Sequence, residues 1–251
     1  MRSPASRLDH GLATLRSRGL GLHAILPTAE AATVAPKLAE LAEAWPSLVL
    51  VGSAGATLWQ SMTAARAFGP ADPVDEYCED ALFDFCDDLE PDVATTLLWP
   101  AADAGATLPV TRLGELAGWS HRSPLGLGIH PRFGLWFAYR GVLLLDVALE
   151  PLREPVAPSP CDACADRPCI SACPVGAVGG PAGVDLGLCL GERDREGASC
   201  VSACASRAAC PIGAEHRYPA EQQGHHHRFS TPMLRRALAT SASAPPEWSR
   251  S

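Results

Sequence analysis

Gly128-Ile129-His130-Pro131-Arg132-Phe133-Gly134-Leu135-Trp136-Phe137-Ala138-Tyr139-Arg140-Gly141-Val142-Leu143-Leu144 is the stretch on which the architecture turns. Residues 125–129 read as a short strand and 133–145 as a long one, interrupted near Arg140-Gly141. His130-Pro131 between them has the look of a hairpin connection. Toward the N-terminus helical and extended patterns interleave. Ser3 and Pro4 open a helix with Leu8, Leu12 and Leu15 on one face, and a strand follows over 20–26. Thr28 is placed to cap a second helix running toward Ala44, broken at Pro36. Residues 47–51 form a buried strand, and Gly52-Ser53-Ala54-Gly55 turns into a helix through about Phe68. Strand 93–99 and helix 110–117 complete the series. Such an order predicts an α+β sandwich on a mostly antiparallel sheet rather than a regular βαβ series.

The clearest periodicity lies between these elements. Val74, Tyr77, Cys78, Ala81, Leu82, Phe85, Cys86 and Leu89 recur at helical spacing with carboxylates between them. Cys78 and Cys86 then face the core as packing thiols. Ten acids fall between Asp72 and Asp92, no Lys or Arg occurs from 67 to 111, and the net charge is −8. A bare polyanion such as tRNA or DNA is repelled by that face, which is otherwise an ordinary solvated one. At 251 residues and 47% hydrophobic, the chain can bury a real core. Its N-terminus lacks a signal-like apolar run, and no apolar run approaches the ~20 residues of a membrane span. A cytoplasmic protein is expected.

Toward the C-terminus, Pro151, Pro155, Pro158 and Pro160 mark an extended linker over 151–160. Eight of the ten cysteines follow, spaced Cys161-x2-Cys164-x4-Cys169-x3-Cys173-Pro174 and Cys189-x10-Cys200-x3-Cys204-x5-Cys210-Pro211. Clustered thiols without a targeting signal read as metal ligands rather than disulfides. A cubane cluster takes three thiolates from a tight loop and one from a remote position; where two clusters share a chain, the Cys before Pro serves the partner cluster. That rule assigns Cys161, Cys164, Cys169 and Cys210 to one 4Fe–4S cluster, and Cys173, Cys189, Cys200 and Cys204 to another. The alternative is a pair of structural zinc sites, but zinc ribbons favour paired C-x2-C knuckles and only one such pair exists here.

The opening stretch closely resembles the IHPRFGGWFA-x-RG-V-x-LL signature of CblC-type cobalamin-processing proteins. Asp72-Pro73-Val74-Asp75 is similar to that family's DPVD, and Glu215-His216-Arg217-Tyr218-Pro219-Ala220-Glu221-Gln222 to its ERYSEEQ segment. Leu113-Gly114-Glu115-Leu116-Ala117-Gly118-Trp119 is similar to epoxyqueuosine reductases, whose Gly-Trp-Ile-Gly-Lys continuation is replaced here by Gly118-Trp119-Ser120-His121-Arg122. The resemblance implies a nitroreductase-like, cobalamin-binding core over 1–150 and a ferredoxin-like module over 161–212. A helical segment over 213–240 would return to the core before a flexible tail over 241–251.

By the same resemblance Gly126, Leu127, Gly128 and Ile129 form the strand against the corrin ring, Arg140 belongs to the cobalamin and glutathione pocket, and Tyr218 lies near the cofactor. Taken as plain structure, Arg140 is a salt-bridge partner and Gly126 and Gly128 mark a bulge. His225-His226-His227 reads as a solvent-exposed polar turn, because three adjacent histidines on a helix point in different directions. Gly52-x-x-Gly55 reads as a tight turn. The implied function is an iron–sulfur corrinoid oxidoreductase, fed by a ferredoxin, flavodoxin or flavoprotein reductase, acting on base-off cobalamin by reduction, decyanation or dealkylation. The ferredoxin module stands where the animal proteins carry a segment used for glutathione. Alternatives are an epoxyqueuosine-reductase-like enzyme, a non-enzymatic cobalamin chaperone, or a ferredoxin-type electron carrier. A homodimer is left open.

Overall fold

The computed structural model describes residues 4–66, 72–99, 108–180 and 183–241. In chain order its elements are α1 (Pro4–Ser17), β1 (Leu22–Pro27), α2 (Thr28–Ala31), β2 (Ser47–Ala54), α3 (Thr57–Ala64), α4 (Pro73–Leu89), β3 (Thr95–Trp99) and α5 (Val110–Leu116). Then come β4 (His121–Arg122), β5 (Gly128–Ile129), β6 (Phe137–Leu145), α6 (Pro168–Ser171), β7 (Val178–Gly180) and β8 (Gly183–Val184). Helices α7 (Leu186–Asp194), α8 (Ala205–Ala209) and α9 (Ala220–Ser241) complete the series. The chain packs as two compact units: the described residues within Met1–Ser120 and Phe137–Ala157, and those within His121–Trp136 and Pro158–Ser251.

The first unit is an α+β body on a four-stranded sheet of order β1-β2-β6-β3, every pairing antiparallel. Strand β2 is central and almost wholly buried because Leu48, Val49, Leu50 and Val51 form a continuous apolar run. Helix α4 covers one face and starts where Asp72 accepts a hydrogen bond from the Val74 amide, with Pro73 at the first turn. Its periodic residues Val74, Tyr77, Cys78, Ala81, Leu82, Phe85 and Leu89 are buried against the sheet and α1, while Cys86 is only half-buried. Helix α1 comes closest at Gly11, where a Cβ would meet the Phe85 ring at 2.7 Å. Burial pushes the Cys78 thiol up to about 11, which suits the expected inert packing role.

Three local expectations change. Thr28 does not cap α2: it lies inside the helix, Pro27 takes the cap position, and the segment toward Ala44 breaks into a 3-10 turn over Pro36–Leu38. Residues 125–129 are not one strand, since only Gly128 and Ile129 pair, and they pair backward with β4 through a turn. No hairpin therefore runs through His130-Pro131 into β6; a tight loop closed by His130 and Gly134 fills that position. The interruption near Arg140-Gly141 is a β-bulge. Val51 faces Gly141 and Gly52 faces Tyr139, leaving Arg140 as the extra residue.

The second unit is built from short pieces. Two-stranded ladders β4-β5 and β7-β8 join α6, α7, α8 and α9, and Leu125, Ile129, Leu135, Cys169, Val178 and Cys210 form its buried core.

Phe85 fills the space between α1 and α4, so Phe85→Ala is expected to destabilise the first unit by about 3–5 kcal/mol in denaturant titration. His23 in β1 is a second test. Burial, opposed by a hydrogen bond to the Leu20 carbonyl, lowers its imidazole from 6.5 to about 4. The unfolded chain then binds the extra proton first, so this contribution to stability is complete above pH 6.5 and lost as pH falls toward 4, at no more than about 1.4 kcal/mol per unit. Unfolding midpoints measured across that window should fall less steeply for His23→Gln.

Candidate metal centre

Cys161, Cys164, Cys169 and Cys210 line a single small cavity of about 20 Å³ in the second unit. The remaining walls are mainly rigid and apolar: Pro124, Ile129, Pro160, Pro168, Pro211 and Ile212, with Arg167 at one side. Proline rings supply bulk without a backbone donor, and so keep water from competing at the sulfurs. Burial raises the Cys161, Cys169 and Cys210 thiols, and the charge of neighbouring cysteines raises them further. Raised in this way these groups are neutral thiols, and as thiolates they would need a cation among them. Among the described residues no group of three or more His, Cys, Asp or Glu is placed to hold a metal ion.

Each sulfur is delivered by a separate local device. Cys161 sits where its amide donates to the Ser159 hydroxyl, and Cys169 lies in the single turn of α6 beginning at Pro168. Cys210 follows α8 and precedes Pro211. The loop beyond it is fixed by a backbone-on-backbone contact. Gly134 (φ +58°) would place a Cβ 1.9 Å from the Ile212 carbonyl, and Gly213 (φ +66°) would place one 2.3 Å from Phe133. Only glycine allows both the left-handed backbone and this approach.

Cys189, Cys200 and Cys204 form a second neighbourhood, each close enough for its charge to act on Cys189. Burial raises the Cys189 thiol, and the charge of Arg193, one turn along α7, opposes this. Cys173 ends the α6 turn, and its sulfur accepts from the Ala177 amide at 3.2 Å.

The six residues expected to touch corrin occupy varied settings. Gly126 has φ +69° and faces open space, with only the Val184 side chain as near as 4.0 Å to a notional Cβ. Glycine is therefore set here by the turn between β4 and β5 rather than by crowding. Leu127 is exposed, Gly128 is half-buried, and Ile129 is buried in the wall of the four-cysteine cavity. Tyr218 is buried too, its ring edge-on to Trp136 at 5.3 Å. Arg207, from α8, lies over both rings and donates to the Leu135 carbonyl. Arg140 lies in the first unit at the bulge, donating to the Ser53 hydroxyl at 3.3 Å and pairing with Asp75 at 3.6 Å, the bond of a structural partner.

The histidine triplet is not an exposed turn. It lies within α9, His225 and His227 are buried, and His225 stacks on Phe229 one turn away. Burial, reinforced by the charges of Arg193 and Arg207, lowers the His227 imidazole to about 4.

No family model matches the chain, and no curated protein sequence matches it. In fold it is similar to two kinds of solved protein. An epoxyqueuosine reductase bound to a modified tRNA stem loop superposes with a TM-score of 0.56 at 13% identity, over 89% of this chain and 69% of that one. The Bacillus subtilis epoxyqueuosine reductase gives 0.53 at 13%, over 87% and 68%. The B12-trafficking protein CblC of C. elegans gives 0.51 at 13%, over 97% of this chain and 98% of that one. Among the described residues no helix is long and apolar enough to cross a membrane.

Gly134→Ala should displace the loop carrying Cys210. The variant is expected to bind less metal per chain than the parent when both are purified anaerobically; an unchanged metal content would show that the loop tolerates the added carbon.

Proposed function

We propose that this chain is an iron–sulfur oxidoreductase whose substrate is cobalamin, with a nitroreductase-like core and a ferredoxin-like module. Two 4Fe–4S clusters are held by Cys161, Cys164, Cys169 and Cys210, and by Cys173, Cys189, Cys200 and Cys204. When bound, such clusters supply one-electron chemistry over potentials of roughly −700 to +450 mV, a range able to serve cobalt reduction. The observation that carries the reading is the four-cysteine cavity, in a fold shared along nearly its whole length with a B12-trafficking protein.

The protein's own part is to bind, orient and exclude water. The prolines around Cys161 and Cys210 keep the thiolate shell dry, while Pro174 and Pro211 direct the chain away from each loop's own sulfurs. Exposed Gly126 and Leu127 offer a flat, open edge for a macrocycle. A base-off corrin would rest there, and a low-potential protein donor would supply the electrons. Decyanation, dealkylation or reactivation of cobalamin are the outcomes this chemistry allows.

An epoxyqueuosine-reductase-like role has the higher fold score in its favour. The exposed carboxylates of α4, Asp75, Glu76 and Asp80 among them, oppose the approach of a tRNA backbone.

Anaerobic purification should give about eight iron and eight sulfide per chain, and Cys161→Ser about half of each. Titration with hydroxocobalamin under dithionite should then show binding with a base-off spectrum. Gly126→Val is expected to abolish corrin binding and leave the iron unchanged. Zinc in place of iron, or no corrin binding by an iron-replete protein, overturns the assignment.

A further inference from the structure

Three of the four cysteines around the cavity lie within nine residues of one another, Cys161 to Cys169, whereas Cys210 stands 41 positions further along the chain. Local turns can place the first three sulfurs. The fourth depends on contacts made by distant residues. Helix α8 delivers it, and a helix of five residues is too short to hold itself in place. The Cys210 amide donates to the Arg207 carbonyl at 3.3 Å, so the cysteine goes where Arg207 goes.

The Arg207 side chain is anchored on a piece of chain far away in sequence. Its Nε donates to the Leu135 carbonyl at 3.0 Å, and Nη2 donates to the same oxygen. The guanidinium carbon lies 4.5 Å from the centre of the Trp136 ring and 4.8 Å from that of Tyr218, both rings being buried. Two donors on one acceptor fix the direction of the fork, and the ring faces stop it from swinging away. Leu135 belongs to the same buried core as Cys169 and Cys210. Beyond Cys210, the Ile212 carbonyl rests against Gly134. Three consecutive residues, Gly134, Leu135 and Trp136, therefore grip the chain on both sides of this cysteine.

We infer that Arg207 is the positioning residue of the four-cysteine cavity, holding Cys210 to the other three sulfurs through its fork on Leu135 and its seat between Trp136 and Tyr218. That the gathered sulfurs serve a metal centre rests on the function proposed above; the placement of Cys210 does not. Without the fork, α8 loses its tie to the 121–136 piece. Cys210 then opens to solvent, while Cys161, Cys164 and Cys169 stay in their own loop. A lysine keeps the charge but offers one flexible ammonium in place of the planar fork.

The test is alkylation of the anaerobic full-length protein by iodoacetamide under single-hit conditions. Each cysteine is followed by peptide mass spectrometry, and metal per chain is measured on the same samples. In Arg207→Met, Cys210 should be labelled at least about tenfold faster than in the parent chain, a change the local opening of a buried thiol produces. The initial rates of Cys161, Cys164 and Cys169 should stay those of the parent. Arg207→Lys should fall between parent and Arg207→Met at Cys210. Labelling of Cys210 at the parent rate in both variants overturns the inference. An equal rise at all four cysteines also overturns it, because Arg207 then only supports the fold. If Arg207→Met does not fold, Arg207→Lys decides alone: a rise confined to Cys210 upholds the inference, and no rise or an equal rise overturns it. A parent chain free of metal overturns the function proposed above and leaves the comparison of labelling rates intact.

Discussion

Gathered thiols repel one another once they ionise, and burial makes that ionisation harder still. Cys161, Cys169 and Cys210 stand in that predicament around one cavity, each pushed up by desolvation and then by its neighbours. A chain that assembles such a place needs a multivalent cation there, and the second unit is organised around that need. Its helices α6 and α8 have four and five residues, too short to stand alone. They pack on one another and present Cys169 and Cys210 to the same space.

How much of this could be read in advance depends on how local the determinants are. Helix α4 was legible because Asp72, Pro73 and the spacing from Val74 to Leu89 specify start, length and buried face within one segment. The antiparallel sheet was legible from the apolar runs at Leu48–Val51 and Val142–Leu145. The turn structure between 121 and 136 was not. It rests on left-handed glycines at 126 and 134, and what Gly134 touches is the Ile212 carbonyl, far away in sequence. The histidine triplet misled for a similar reason. Whether a helix face is wet depends on what packs over it, and α7 and the Cys200 segment pack over α9.

For the candidate site, the spacing of the cysteines was informative and the residues that tune them were less so. Four thiols separated by up to 49 positions meet at one cavity, in the grouping the Cys-Pro rule gave. Arg140 is a different case: nothing local to the signature stretch shows that the bulge would set its guanidinium beside Ser53 and Asp75.

The two units interleave along the chain: residues 121–136 belong with the cysteine-bearing body although they are flanked on both sides by the sheet-bearing one. Pro124 and Ile129 from that inserted piece form walls of the four-cysteine cavity, and Leu135 completes its core. A gene fragment starting at 158 would encode all eight clustered cysteines without those walls. The cysteine-bearing body is therefore discontinuous in sequence, and its cavity is completed by a piece of chain that lies before β6.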